Sequence, residues 1–196
     1  MFAQVIQGRA KDAAGLRKQF EKWNEEVRPD SIGFLGSTGG VAEDGEFIFV
    51  ARFEDEARAR QNSDRPEQSA WWAETENYVE GEARFYDSTD LRTIGEGGSN
   101  DAGFVQVIQG TVKDRPAYEQ MGREWEPKMR EERPDVIGGL TVWQGNDFTQ
   151  VMYFTSEGEA REGEKKMSAA AEEQGSGWGE MVTNMKFIDL REPWMV

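Results

Sequence analysis

FAQVIQGRAKD at residues 2–12 returns as FVQVIQGTVKD at residues 104–114, with eight of the eleven positions identical at a spacing of 102. Further matches run in the same order. Trp23 pairs with Trp125, Arg28-Pro29-Asp30 with Arg133-Pro134-Asp135, Phe53 with Phe154 and Phe85 with Phe187, at offsets of 101 to 105. The chain is therefore two copies of one unit. A unit of about 95 residues buries a limited core alone, so the copies are expected to pack on each other.

Within the first unit, residues 2–8 carry the apolar and β-branched pattern of a strand. In the stretch that Lys11-Asp12 opens, Leu16, Phe20, Trp23 and Val27 recur at helical spacing. That helix is expected to stop before Arg28-Pro29-Asp30, because a residue preceding proline is pushed out of the α region. SIGFLGSTGG at 31–40 and EFIFVARF at 46–53 read as a hairpin, 54–79 as a second helical region and EARFYD at 82–87 as a closing strand. The unit is βαββαβ. In the second copy the helix face is Tyr118, Met121, Trp125 and Met129, and the strands fall near 104–110, 136–143, 147–154 and 184–189. The expected units are 1–88 and 103–196, joined at 89–102 by a glycine-rich linker that reads as a flexible connector.

Four strands and two helices in this order make a ferredoxin-like α+β sheet with both helices on one face. Along Phe47, Phe49, Ala51 and Phe53, and along Ile48 and Val50 on the alternate side, the third strand is largely apolar. Neither side suits water, so the two sheets are expected to lie against each other.

Composition removes much familiar chemistry. The chain has 196 residues, 37% of them hydrophobic, with seven Trp and neither His nor Cys. A thiolate nucleophile, a soft metal site, a disulfide framework and an imidazole base or haem ligand are all excluded. Carboxylates outnumber basic residues by 38 to 23, a net charge of -15. Nucleic acid and anionic membrane surfaces are disfavoured as partners, because both need a basic surface. No apolar run reaches the roughly 18 residues of a membrane span and no signal segment is evident, so a cytoplasmic protein is expected. GSTGG at 36–40 lies between two strands and lacks the Lys of a phosphate loop, which leaves it a hairpin turn.

With its duplicated βαββαβ plan, the chain resembles the dimeric α/β-barrel superfamily, and within it the antibiotic-biosynthesis-monooxygenase (ABM) domains, fused in tandem as an intramolecular pseudo-dimer. NSDRPEQSAWWAE at 62–74, VIQG at 5–8 and GFLGSTGG at 33–40 are similar to a group of uncharacterised actinobacterial members. The resemblance implies a small-molecule barrel whose chemistries include cofactor-independent monooxygenation and isomerisation. It does not imply the haem-degrading branch, whose constellation needs a His. No cofactor and no metal is expected. Fold alone does not choose among these activities.

Asn62, Arg65, Gln68, Trp71 and Trp72 gather polar donors beside two large rings and form a candidate wall for a planar ligand. The same segment reads as a helix restart, with Asp64 as cap, Glu67 as its reciprocal partner and Pro66 in the first turn. The second copy has EGEKKMSAAAEEQGSGWGE there, so a site in this segment occurs once per chain; Trp178, flanked by Gly175 and Gly177, is the residue nearest in position to Trp72. Trp23 on the first helix and Arg52 on the third strand complete the candidates, against plainer roles in packing and at an exposed strand end. Two readings follow. One is a barrel that binds a small aromatic or planar ligand, with cofactor-independent monooxygenation as its concrete form. The other is a non-catalytic structural or interaction module with no competent pocket. Further homo-oligomerisation is left open.

Overall fold

The structure, a computed structural model, describes residues 1–174 and 178–196, with side chains described outside 169–179. Trp178, Gly175 and Gly177 therefore lie outside what is described of side chains or backbone. The chain divides into two compact units, Met1–Leu91 with Glu192–Val196, and Arg92–Arg191. No described helix is long and apolar enough to cross a membrane.

The first unit contains strands β1 (Phe2–Ala10), β2 (Phe34–Val41), β3 (Glu46–Phe53) and β4 (Val79–Ser88), with helices α1 (Ala13–Lys22), α2 (Glu56–Ser63) and α3 (Pro66–Thr75). The second unit contains β5 (Leu91–Gly95), β6 (Phe104–Val112), α4 (Arg115–Glu132), β7 (Val136–Gln144), β8 (Asp147–Phe154), α5 (Glu157–Gln174), α6 (Trp178–Met181) and β9 (Val182–Leu190). A last strand, β10 (Trp194–Met195), returns to the first unit. The sheets run β10-β2-β3-β1-β4 and β5-β7-β8-β6-β9. Both are α+β, five-stranded where the sequence suggested four. The extra strands come from the segment read as a flexible linker, which supplies β5, and from the C-terminal residues, where Trp194 pairs with Gly39.

The repeat is visible in the registers. Phe2 faces Phe53 and Gln4 faces Ala51 in the first sheet; Phe104 faces Phe154 and Gln106 faces Met152 in the second. Alternation along the strands sends Ile6, Phe47 and Phe49 to the helix side, where Leu16, Phe20 and Trp194 pack on them. The opposite side is also closed to water: Val5 and Ile48 are 0% exposed, as is Val105 in the second unit. Each such large apolar side chain contributes roughly 1.5–3 kcal/mol by leaving water.

Helix α1 starts where the Asp12 carboxylate accepts the Gly15 N–H at 3.1 Å. It does not run regularly to Val27. At Trp23–Val27 the chain widens into a π turn, in which the Arg28 N–H reaches back five residues to the Trp23 carbonyl, and a 3-10 turn follows over Arg28–Asp30. The equivalent helix of the second unit, α4, stays α-helical throughout.

Candidate functional site

Between the helices and the sheet of the first unit lies a cavity of about 90 Å³, partly open to solvent. The sheet lines it through the helix-side positions: Gln4 and Ile6 of β1, Phe34 and Ser37 of β2, and Phe47, Phe49, Ala51 and Phe53 of β3. From the helices come Leu16, Phe20 and Trp23, then Asn62 and Ser63, then Gln68, Trp71, Trp72 and Thr75. Ala51 is what makes the space, a small residue in a row of phenylalanines.

The aromatic walls are locked to one another. Trp23 meets Phe34 edge-on with centroids 5.0 Å apart and tilts against Trp71 at 6.2 Å; Trp72 meets Trp71 at 5.8 Å and Phe85 at 5.0 Å. Each indole N–H is spent inside the protein. Trp23 Nε1 donates to Gln68 Oε1 at 2.8 Å, Trp71 Nε1 to the Gln19 carbonyl at 2.8 Å and Trp72 Nε1 to Glu76 Oε1 at 3.0 Å. The rings thus offer faces and no donors.

Donors come from the amides and a hydroxyl. Asn62 is 3% exposed, and its Oδ1 accepts the Ile32 N–H at 3.3 Å and Arg65 Nη1 at 3.2 Å. Two donors on the oxygen fix which way the amide points. Its Nδ2 has no hydrogen-bond partner among the described residues, and the same holds for Gln68 Nε2 and the Ser37 hydroxyl. All three residues line the cavity. Among the described residues, no carboxylate, Lys, Arg or Tyr does. A ring with a hydrogen-bond acceptor fits such a lining; a general base must come from elsewhere.

Of the residues singled out from sequence, Trp23, Asn62, Gln68, Trp71 and Trp72 meet in this cavity. Arg65 lies behind Asn62, with Nη1 also donating to the Val27 carbonyl at 3.2 Å. Arg52 does not belong. Its register opposite Ala3 puts it on the sheet face of Ile48 and Val50, away from the helices. Asp64 is not a helix cap either. It closes α2, and Arg65, held extended at φ -67° and ψ 134° by the following Pro66, precedes α3 without a side-chain cap. Pro66 does fall in the first turn of α3. Sequence reasoning missed Ser37 and Ala51, for which the signal was small residues at alternate positions of paired strands.

The second unit fills the same space. Met152 stands at the register position of Ala51, and Gly139 at that of Ser37, where a β-carbon would come 2.7 Å from Met152 Sδ. Ala160 packs under Phe104 and Phe154 as Ala59 packs under Phe2 and Phe53, which makes Gly163 the counterpart of Asn62. A β-carbon at Gly163 would collide with the Arg133 guanidinium. Arg133, 5% exposed, is bound by Asp135 at 2.9 and 2.6 Å and lies 5.6 Å from the Phe154 ring centroid.

In sequence the chain matches no family profile and no curated protein. In structure it is similar to a provisionally named monooxygenase from Lactobacillus acidophilus, with a TM-score of 0.68 at 11% identity over 100% of this chain and 99% of that one. A second such protein, from Fusobacterium nucleatum, gives 0.72 at 10% identity over 96% and 90%. An anthrone oxidase-like protein gives 0.59 at 9% identity over 99% and 92%. At these identities the likeness is one of fold, and it extends across both units.

Proposed function

We propose, for a chain built as a tandem pair of ferredoxin-like units of the ABM type, that the first unit's cavity binds a small planar ring carrying a hydrogen-bond acceptor. The observation that carries this is the pairing of aromatic walls with the unspent Asn62 donor. Size narrows the ligand. An apolar cavity of about 150 Å³ takes benzene, so a space of about 90 Å³ admits at most one ring, and only as the half-buried Trp72 wall yields. A three-ring anthrone, of the sort named for one structural neighbour, exceeds it.

The reaction such a site supports is cofactor-independent monooxygenation of a phenol or quinol. The ionised ring gives electrons to dioxygen; one oxygen atom stays on the ring carbon and the other leaves as water with the two hydrogens lost. Because no ionisable side chain among the described residues borders the cavity, the ligand must supply its own acidity, and Asn62 would hold the resulting oxide. That same missing base equally suits a binding site without turnover, which differs from an inert module with no competent pocket. Trp23, Trp71 and Trp72 report on occupancy, so tryptophan fluorescence against a panel of one-ring phenols and quinols, with oxygen uptake followed in parallel, tests both. Saturable quenching with uptake supports the oxygenase; quenching alone supports the binding module. A flat response across the panel removes both binding readings and leaves the module with no competent pocket.

A further inference from the structure

Arg65 takes no part in lining the cavity, yet it is bonded to the one cavity residue whose amide is oriented from behind. Its side chain is 13% exposed. One nitrogen, Nη1, serves two acceptors, the Val27 carbonyl of the π turn and Asn62 Oδ1, each at 3.2 Å. The other charged groups of this corner compete weakly. Glu67 lies 4.0 Å from Arg65 Nε but is 63% exposed, Asp64 is exposed, and Arg58 is held by Glu54 at 2.8 Å and Asp55 at 3.5 Å. A cation on the oxygen of an amide withdraws charge from it and makes the amide's own N–H a stronger donor, since hydrogen bonds in a chain polarise one another. The polarised donor is Asn62 Nδ2, which has no partner among the described residues, on a residue that lines the cavity.

We infer that Arg65 is a positioning residue that sets the protonation state of the bound ligand, acting through Asn62 to favour a ring oxide over the corresponding phenol. The inference rests on the reading of the cavity as a ring site. It narrows the ligand to rings acidic enough to be held as anions, although no cation touches them. Arg65 would stand roughly 7 Å from the ligand oxygen, one amide away. A unit charge at that distance, at an effective dielectric of about 20, lowers an acid's pKa by about one to two units.

Two one-ring probes separate this inference from its premise. 4-Nitroanisole cannot ionise, and its calorimetric affinity reports on the cavity alone. 4-Nitrophenol changes absorbance on ionisation, so its pKa can be read when it is bound at saturation to the full chain. Wild type is expected to lower that pKa by one unit or more. Arg65→Lys keeps the charge and should retain most of the shift. Arg65→Gln keeps a donor for Asn62 without charge and should abolish it, with nitroanisole affinity unchanged within twofold and the circular dichroism of wild type. Nitroanisole binding together with an equal nitrophenol shift in wild type and Arg65→Gln would overturn the inference and leave the ring site standing. Failure of wild type to bind either probe would remove the ring site and the inference together.

Discussion

Met152 in β8 and Ala51 in β3 hold the same register position, each opposite the glutamine of its unit's first strand, Gln106 and Gln4. The thioether fills in one unit what the methyl leaves open in the other. Met152 is 7% exposed and packs with Phe104, Phe154 and Ala160. Met152→Ala should therefore cost about 2–5 kcal/mol of unfolding free energy, read from urea or guanidinium midpoints.

The Arg133–Asp135 pair occupies the second unit's counterpart of the Asn62 position, and both residues are buried. Removing one partner of a buried pair strands the other charge. Asp135→Asn is expected to destabilise the chain by about 3–5 kcal/mol, and Arg133→Met with Asp135→Leu to recover much of the loss. Equal stability of the single and double variants would show that the pair packs without coupling.

Asn62 serves the fold through its oxygen and the cavity through its nitrogen, so the two roles can be pulled apart. Asn62→Asp keeps an acceptor for Ile32 and Arg65 and loses the donor; its stability should stay within about 1 kcal/mol of wild type while affinity for 4-nitrophenolate falls at least about tenfold. Asn62→Ala removes the acceptor too and should cost about 1–3 kcal/mol in the same unfolding assay.

Tyr118, stacked on Phe148 at 5.6 Å, has its phenol pushed up from 10.0 to about 12 by burial, with Arg92 acting weakly the other way. Below pH 10 both folded and unfolded chains keep the proton and the group adds no slope. Between about 10 and 12 the unfolded chain releases it first, so the native state holds more protons and stability falls as pH rises. Tyr118→Phe should flatten that part of the alkaline stability profile, read from urea midpoints at pH values between about 10 and 12.

Much of this architecture was legible before any coordinates. The repeat at Phe2 and Phe104 announced two units, and apolar periodicity gave the strands and helices of each in order. The fifth strands were not legible: β5 sits in a glycine-rich stretch, β10 is two residues long, and both form through partners remote in sequence. The π turn at Trp23 was hidden as well, because Leu16, Phe20, Trp23 and Val27 keep the spacing of an ordinary helix.

At the site, composition alone picked out Asn62, Gln68 and the tryptophans, since large rings beside amides on one short segment are informative without a register. Arg52 lies where its alternation with Ile48 and Val50 implied, on the sheet face away from this cavity. Ser37 and Ala51 went unnoticed. Their importance lies in what they leave empty, and that depends on Phe34, Phe49 and Trp23 closing around them.

A ring site confined to the first unit is tested most directly by calorimetric titration of wild type and Ala51→Met with 4-nitroanisole. The added side chain enters open space, so its stability should stay within about 1 kcal/mol of wild type. One saturable site per chain in wild type and none in the folded variant is the result expected. Equal stoichiometry and affinity in the two proteins would contradict it.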